Sequence, residues 1–146
     1  EFVAPGNIPE RIREYCRRSN QRIPVGVGEV VRCINESLAF KYRYVMEQIM
    51  DCTEKNYDTI YLVGGGTQSH LLCQMTANAC NKKVMAGPIE ATVYGNIALQ
   101  LIALGELKDI SEARECIRNS EGIVCYEPQD TQLWEEAYQR FGGHLC

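Results

Sequence analysis

Three consecutive glycines, Gly64, Gly65 and Gly66, followed by Thr67, Gln68 and Ser69, are the residues of this chain best suited to holding an anion. Residues without a Cβ adopt positive φ readily and let another molecule approach the backbone, at an entropic cost. A Thr or Ser just beyond them can cap a helix, and the free amides of a helix start favour negative charge. The spacing fits neither GxGxxG nor GxxxxGK[ST], so the Rossmann and P-loop assignments lack their defining positions. The local pattern leaves two readings open, contact with a nucleotide phosphate or a tight structural turn.

Other reactive side chains offer less. The eight cysteines, at positions 16, 33, 52, 73, 80, 116, 125 and 146, include no CxxC, and neither His70 nor His144 stands at ligand spacing from them. This spacing argues against both a zinc site and a disulfide scaffold, and predicts reduced thiols that serve as small hydrophobes. Cys16 and Cys33, on two predicted helices joined by a short loop, are the pair a bridge could join, with free thiols the expected state. Asp51, Asp58, Asp109 and Asp130 fall at predicted helix ends and in loops, where capping accounts for them. No catalytic residue and no metal ligand is assigned within the chain.

The glycine turn needs a strand before it and a helix after it, and the sequence supplies both. Thr59 to Val63 is β-branched and aromatic, which predicts a short buried strand. After the turn, Leu71, Leu72, Met75, Ala79 and Cys80 mark one face of a helix. Lys82 to Ala86 predicts a second strand, closed by a Gly87-Pro88 turn; strand, helix and strand in so few residues imply a parallel pair. Upstream, Ile8-Pro9 opens a short helix that stops at Ser19-Asn20, with its inner side at Ile12, Tyr15 and Cys16. Residues 21–28 read as a connector, and a long helix follows from Glu29 to about Thr53. Val31, Ile34, Leu38, Tyr42, Val45 and Ile49 form its apolar stripe, expected to lie along a sheet or another helix. Arg32, Glu36, Lys41, Arg43 and Glu47 form its solvated face. Downstream, Ile89 to Leu104 is apolar nearly all round, with Ala91, Gly95, Ala98 and Ile102 at helical spacing, and predicts a helix buried on most of its surface. Asp109 and Glu112 suggest a capping box for a helix from about Ser111 to Asn119. Ile123 to Tyr126 reads as irregular or as an edge strand. A last helix runs from about Thr131 to Phe141 on Leu133, Trp134, Ala137, Tyr138 and Phe141, ended by Gly142-Gly143.

At 146 residues the chain suits one domain spanning residues 1–146. Its formal net charge of −4, with acids and bases interspersed, gives no basic patch and argues against nucleic acid as a partner. No apolar run approaches the roughly 18 residues needed to cross a bilayer, so no membrane partner is expected and the predicted location is cytoplasmic. The opening at Glu1-Phe2-Val3 without methionine suggests a piece of a longer protein.

The string VGGGTQSHLLCQMTANAC, followed by VMAGPIEATVYGNIALQLIALGEL, resembles the C-terminal region of FGGY-family carbohydrate kinases, among them the rhamnulokinase branch. PGNIPERIREYCRRSNQ and RCINESLAFKYRYVMEQI look like the same group, so the resemblance runs from about Phe2 to Phe141. It implies an α/β fold: part of an actin-like, ribonuclease-H-like ATPase domain, with a parallel strand pair and flanking helices. It further implies that ATP lies in a cleft between two lobes, with Gly65 in backbone contact, Gly64 and Gly66 beside it, and Gln68 and Ser69 toward the adenosine. The Glu90 to Gly95 segment would support the turn from beneath. Many relatives carry asparagine at the position of Ser69 and aspartate at that of Asn78, which leaves the detailed nucleotide geometry open.

By the same resemblance, ATP with Mg2+ is the cofactor and a ketose the second substrate, bound together with an N-terminal lobe. The aspartate base and the phosphate loop of such kinases are expected upstream of Glu1, so this chain alone should be inactive. A rhamnulokinase-like activity on L-rhamnulose is the leading expectation. Another FGGY kinase, acting on fuculose, xylulose or glycerol, stays open, as does a non-enzymatic actin-like nucleotide-binding or interaction domain.

Overall fold

The computed structural model describes residues 2–142; Glu1, Gly143, His144, Leu145 and Cys146 lie outside them. It is an α/β arrangement with a small mixed sheet and, among the described residues, six α-helices. Helices α1 (Ile8–Arg18) and α2 (Val27–Thr53) come first. Strand β1 (Thr59–Leu62), a 3-10 turn (Gly65–Gln68), helix α3 (His70–Cys80) and strand β2 (Lys83–Ala86) form the central unit. Helices α4 (Ala91–Ala103) and α5 (Ile110–Ser120), strand β3 (Val124–Tyr126) and helix α6 (Thr131–Phe141) complete the order.

The sheet order is β1-β2-β3, with β1 parallel and β3 antiparallel to β2. The expected parallel pair is present, and Ile123 to Tyr126 contributes an edge strand. Register sets Ile60 beside Val84 and Leu62 beside Ala86, with Val84 and Ala86 buried. The alternate residues, Tyr61, Met85 and Cys125, point to the other face. Tyr61 is 73% exposed, so β1 is not the buried strand its composition suggested.

Local chemistry sets several boundaries. Glu29 accepts hydrogen bonds from the amides of Val25 (2.7 Å) and Gly26 (3.4 Å), closing the start of α2 two residues earlier than expected. These backbone bonds, the Val25 bond first, hold its carboxyl below the ordinary value. Asp109 caps α5 by accepting from Ser111 and Glu112, so capping accounts for this aspartate. Asp130 makes no side-chain cap on α6.

The main core joins Ala39 and Phe40 of α2 to Met75 and Ala79 of α3, with Trp134, Ala137, Tyr138 and Phe141 of α6 packed against it. Leu133 departs from its expected place, at 65% exposed. A second, smaller cluster holds Ile12, Cys16 and Val30 with Ile8 and Cys33 between α1 and α2. Cys16 and Cys33 are free thiols there. Burial, with the neighbouring Cys16, pushes the Cys33 thiol up.

Two helix faces depart from expectation. The α2 stripe of Val31, Ile34, Leu38, Tyr42, Val45 and Ile49 is 38% to 48% exposed, while Ala39 and Phe40 point into the core. Arg43, expected on the solvated face, is instead drawn inward: it donates to the Ala79 carbonyl at 3.1 Å and pairs with Glu47 and Glu135. Helix α4 contains no buried residue, and a Cβ at Gly95 would meet nothing within 4 Å, so the expected close approach at that position is not made. The α4 neighbour is α5, through a groove lined by Tyr94, Ile97, Ala98, Leu101, Ala113 and Ile117. The physical reason is the same in both cases: an apolar face is buried only where a second element covers it, and the described residues leave the α2 stripe partly open and cover α4 only in part, through α5.

Candidate functional site at the glycine turn

The chain leaves β1 through Val63 and turns at Gly64, whose φ of +85° falls where L side chains are strained. Its amide donates to the Pro88 carbonyl (3.1 Å), and the Gly87 amide to the Leu62 carbonyl (2.9 Å). Support for the turn therefore comes from Gly87-Pro88, just ahead of the Glu90 to Gly95 segment expected to supply it. The Gly87-Pro88 peptide is cis.

Gly64 also anchors the 3-10 turn. Its carbonyl accepts from both the amide (3.1 Å) and the hydroxyl (2.7 Å) of Thr67, a buried residue. Ser69 caps α3 by accepting from the Leu72 amide at 3.4 Å, as the sequence predicts for that position. The Cys73 thiol reaches the Thr67 carbonyl at 3.7 Å. From Met75 onward α3 is buried on every side, which overturns the one-sided face predicted for it; Leu71, placed on that face, is 50% exposed.

Gly65 and Gly66 differ from Gly64. A Cβ at either would meet nothing within 4 Å, and neither has a positive φ. The amides of Gly65 and Gly66 make no hydrogen bond to another described residue. Nothing inside the described structure requires glycine at these two positions, and both backbones are open to an approaching molecule.

The cavity of about 520 Å³ between α1 and α2 lies elsewhere, lined by Cys16, Gln21, Arg22, Pro24, Glu29, Arg32, Cys33 and Glu36. Its charges satisfy one another, Arg22 with Glu29 at 2.8 Å and Arg32 with Glu36 at 2.7 Å. Among the described residues, no three of His, Cys, Asp or Glu gather to hold a metal ion, and no helix is long and apolar enough to cross a membrane.

A polar row along α3, missed by the sequence reading, reaches the loop between β3 and α6. His70, Gln74 and Asn78 bond Tyr126, Glu127 and Gln129 respectively. The one local signal was the spacing of four among these α3 residues; the partners lie more than 50 positions away.

The model of the FGGY family of carbohydrate kinases, C-terminal domain, matches residues 1–104, and the chain belongs to that family. It is 41% identical to the rhamnulokinase of Bacteroides thetaiotaomicron over 140 residues, 96% of this chain and 29% of that protein. It is 42% identical to the rhamnulokinase of Bacillus subtilis over 129 residues, 88% of this chain and 27% of that protein. The rhamnulokinase of Enterococcus faecalis is 41% identical over 144 residues, 96% of this chain and 29% of the relative. The chain thus spans less than a third of the length of these curated relatives.

Proposed function

We propose that residues 1–146 form one domain-sized part of the second lobe of an actin-like, ribonuclease-H-like ATPase, and that its glycine turn holds ATP in a rhamnulokinase-like sugar kinase. The complete kinase would transfer the γ-phosphoryl group of ATP to the 1-hydroxyl of L-rhamnulose. The observation that carries this reading is the pair Gly65 and Gly66: no strain and no neighbour calls for glycine there, while both amides are open. A residue without a side chain lets another molecule approach the backbone closely, which supports contact with a ligand at these two positions.

In this reading Gly64 sets the turn through its positive φ, and the Gly65 and Gly66 amides donate to the nucleotide. Gln68 and Ser69 stand on the adenosine side. ATP, bound with Mg2+, supplies the phosphoryl group. The residues described here fit the nucleotide and offer no carboxylate cluster for the metal, so the Mg2+ ligands and the aspartate base are assigned to the other parts of the kinase. Positioning and charge neutralisation dominate phosphoryl transfer, and a chain with only the turn would be silent alone. The exposed α2 stripe, the apolar surface of α4 and the Tyr61 face of the sheet are consistent with cover by those other parts. Parallel strands are ordinarily covered on both faces.

The test is Gly65→Val in the complete kinase, assayed by coupled ADP release with L-rhamnulose. A raised KM for ATP with an unchanged KM for the sugar is expected, and normal ATP kinetics would remove the role given to the turn. Turnover with another ketose and none with L-rhamnulose would keep the turn and replace the substrate.

A further inference from the structure

Tyr126, the last residue of β3, and the loop that follows it grip one face of α3 at three successive turns. His70 Nδ1 and the Tyr126 hydroxyl share a hydrogen bond of 2.5 Å. Gln74 Nε2 donates to the Glu127 carbonyl at 2.8 Å, and Asn78 Oδ1 accepts from the Gln129 amide at 2.9 Å. Gln74 Nε2 also donates to Asn78 Oδ1 at 2.8 Å, joining two of the rungs. Side chains four apart on a helix stand one above the other, so the three rungs fix the rotation of α3 about its axis.

Both ends of this loop are held. Tyr126 belongs to β3, in register with Val84 of β2. Beyond the loop, α6 is tied to α2 by Glu135, 2.6 Å from Arg43, and by Tyr138, whose hydroxyl donates to Glu47 at 2.7 Å. The loop is therefore a braced support for α3. It lies after residue 104, beyond the part of the chain that the family model matches.

The uppermost rung acts where the helix is weakest. His70 is the first residue of α3, and the first turn of a helix lacks half of its internal hydrogen bonds. The glycine turn hangs from that same helical turn, through the Cys73 thiol on the Thr67 carbonyl and the Cys73 amide on the Ser69 carbonyl (3.0 Å). We infer that Tyr126 is a positioning residue for the glycine turn: through His70 it holds the first turn of α3, and thereby sets where the Gly65 and Gly66 amides point. This inference rests on the nucleotide-binding reading for its functional meaning, while its mechanical part stands without it.

Hydrogen exchange on the chain, with Tyr126→Phe, tests the mechanical part. Exchange at the Thr67, Ser69, Leu72 and Cys73 amides should rise about fivefold, the factor one neutral hydrogen bond carries, with α2 unchanged. His70→Leu breaks the same contact from the other side and should match it, and the double variant should add nothing further. In the complete kinase, Tyr126→Phe should raise the KM for ATP severalfold with the sugar KM unchanged. A purely stapling role predicts instead a uniform rise in exchange along the chain. That outcome, or unchanged exchange at residues 67–73 in both single variants, would overturn the proposal. Altered exchange in Tyr126→Phe beside normal ATP kinetics in Gly65→Val would sink the nucleotide reading and leave the brace standing.

Discussion

The Arg43 guanidinium lies over the ring of Tyr138, 3.9 Å from its centroid, and joins three helices at that point. It pairs with Glu47 at 2.8 Å within α2 and with Glu135 at 2.6 Å on α6, and donates to the Ala79 carbonyl of α3. Arg43→Met keeps the aliphatic stem and removes the charge, taking the guanidinium donor from the Ala79 carbonyl and leaving Glu47 with the Tyr138 hydroxyl as its donor. A loss of about 2 kcal/mol is expected, between the limits for exposed and fully buried pairs. Urea unfolding checks it, and an unchanged midpoint would show the network to be a solvated one after all.

Tyr138 and Cys80 make the fold sensitive to alkali. Burial, aided by the Glu47 carboxylate, raises the Tyr138 phenol, and burial pushes the Cys80 thiol up to about 12 from 9.0. Both groups are neutral when protonated and favour that form in the native state. Their stabilisation is complete below the unfolded thiol value and is lost as pH rises through the folded values. The urea midpoint should hold to about pH 8.5 and fall progressively above it. Tyr138→Phe should be less stable at pH 7 yet show a shallower decline; an identical slope would remove Tyr138 from the account.

Acid acts at the other end of α2. The Glu29 carboxyl, held low by its backbone donors, supports the helix start above its unfolded value and releases it as pH falls below that value. Protection of the Val25 and Gly26 amides, taken relative to the intrinsic exchange rate at each pH, should fall as the pH drops below the ordinary carboxylate value, and Glu29→Gln should be weakly protected throughout. Equal protection of these two amides in wild type and variant would contradict the capping role.

Gly64 and Gly65 should respond to alanine by different amounts. At Gly64 the positive φ makes a side chain strained, with a cost of about 1–2 kcal/mol. At Gly65 the space is open and the φ ordinary, so Gly65→Ala should change stability by less than about 0.5 kcal/mol. Thermal melts of the two variants decide this. Equal destabilisation would mean that both glycines are there for the turn itself.

The two faces of α2 should separate in the same way. Phe40→Ala, in the aromatic cluster with Trp134, Tyr138 and Phe141, should cost about 3–5 kcal/mol. Val31→Ser and Val45→Ser, on the exposed stripe, should each cost less than about 0.5 kcal/mol. A destabilisation at Val31 as large as at Phe40 would mean that the stripe is already packed.

The order of residues was enough to reveal the elements around the turn and the family. The glycine run, the Ser69 cap, the Asp109 cap and the β-branched and aromatic run of β1 act through neighbours a few residues away, so their effects are legible along the chain. Which apolar face of α2 is covered was settled only in three dimensions. That helix carries apolar residues on two sides, and periodicity marks a face without saying whether an element lies against it. Folding likewise drew Arg43 inward beside Glu135 and Tyr138, and joined His70 to Tyr126, because contacts between residues so distant in sequence exist only once the sheet has set α3 beside β3 and the core has set α6 beside α2. The same structure separated Gly64, needed for its φ, from Gly65 and Gly66, which are free for another molecule: identical letters in a row, distinguished only by backbone angle and surrounding space.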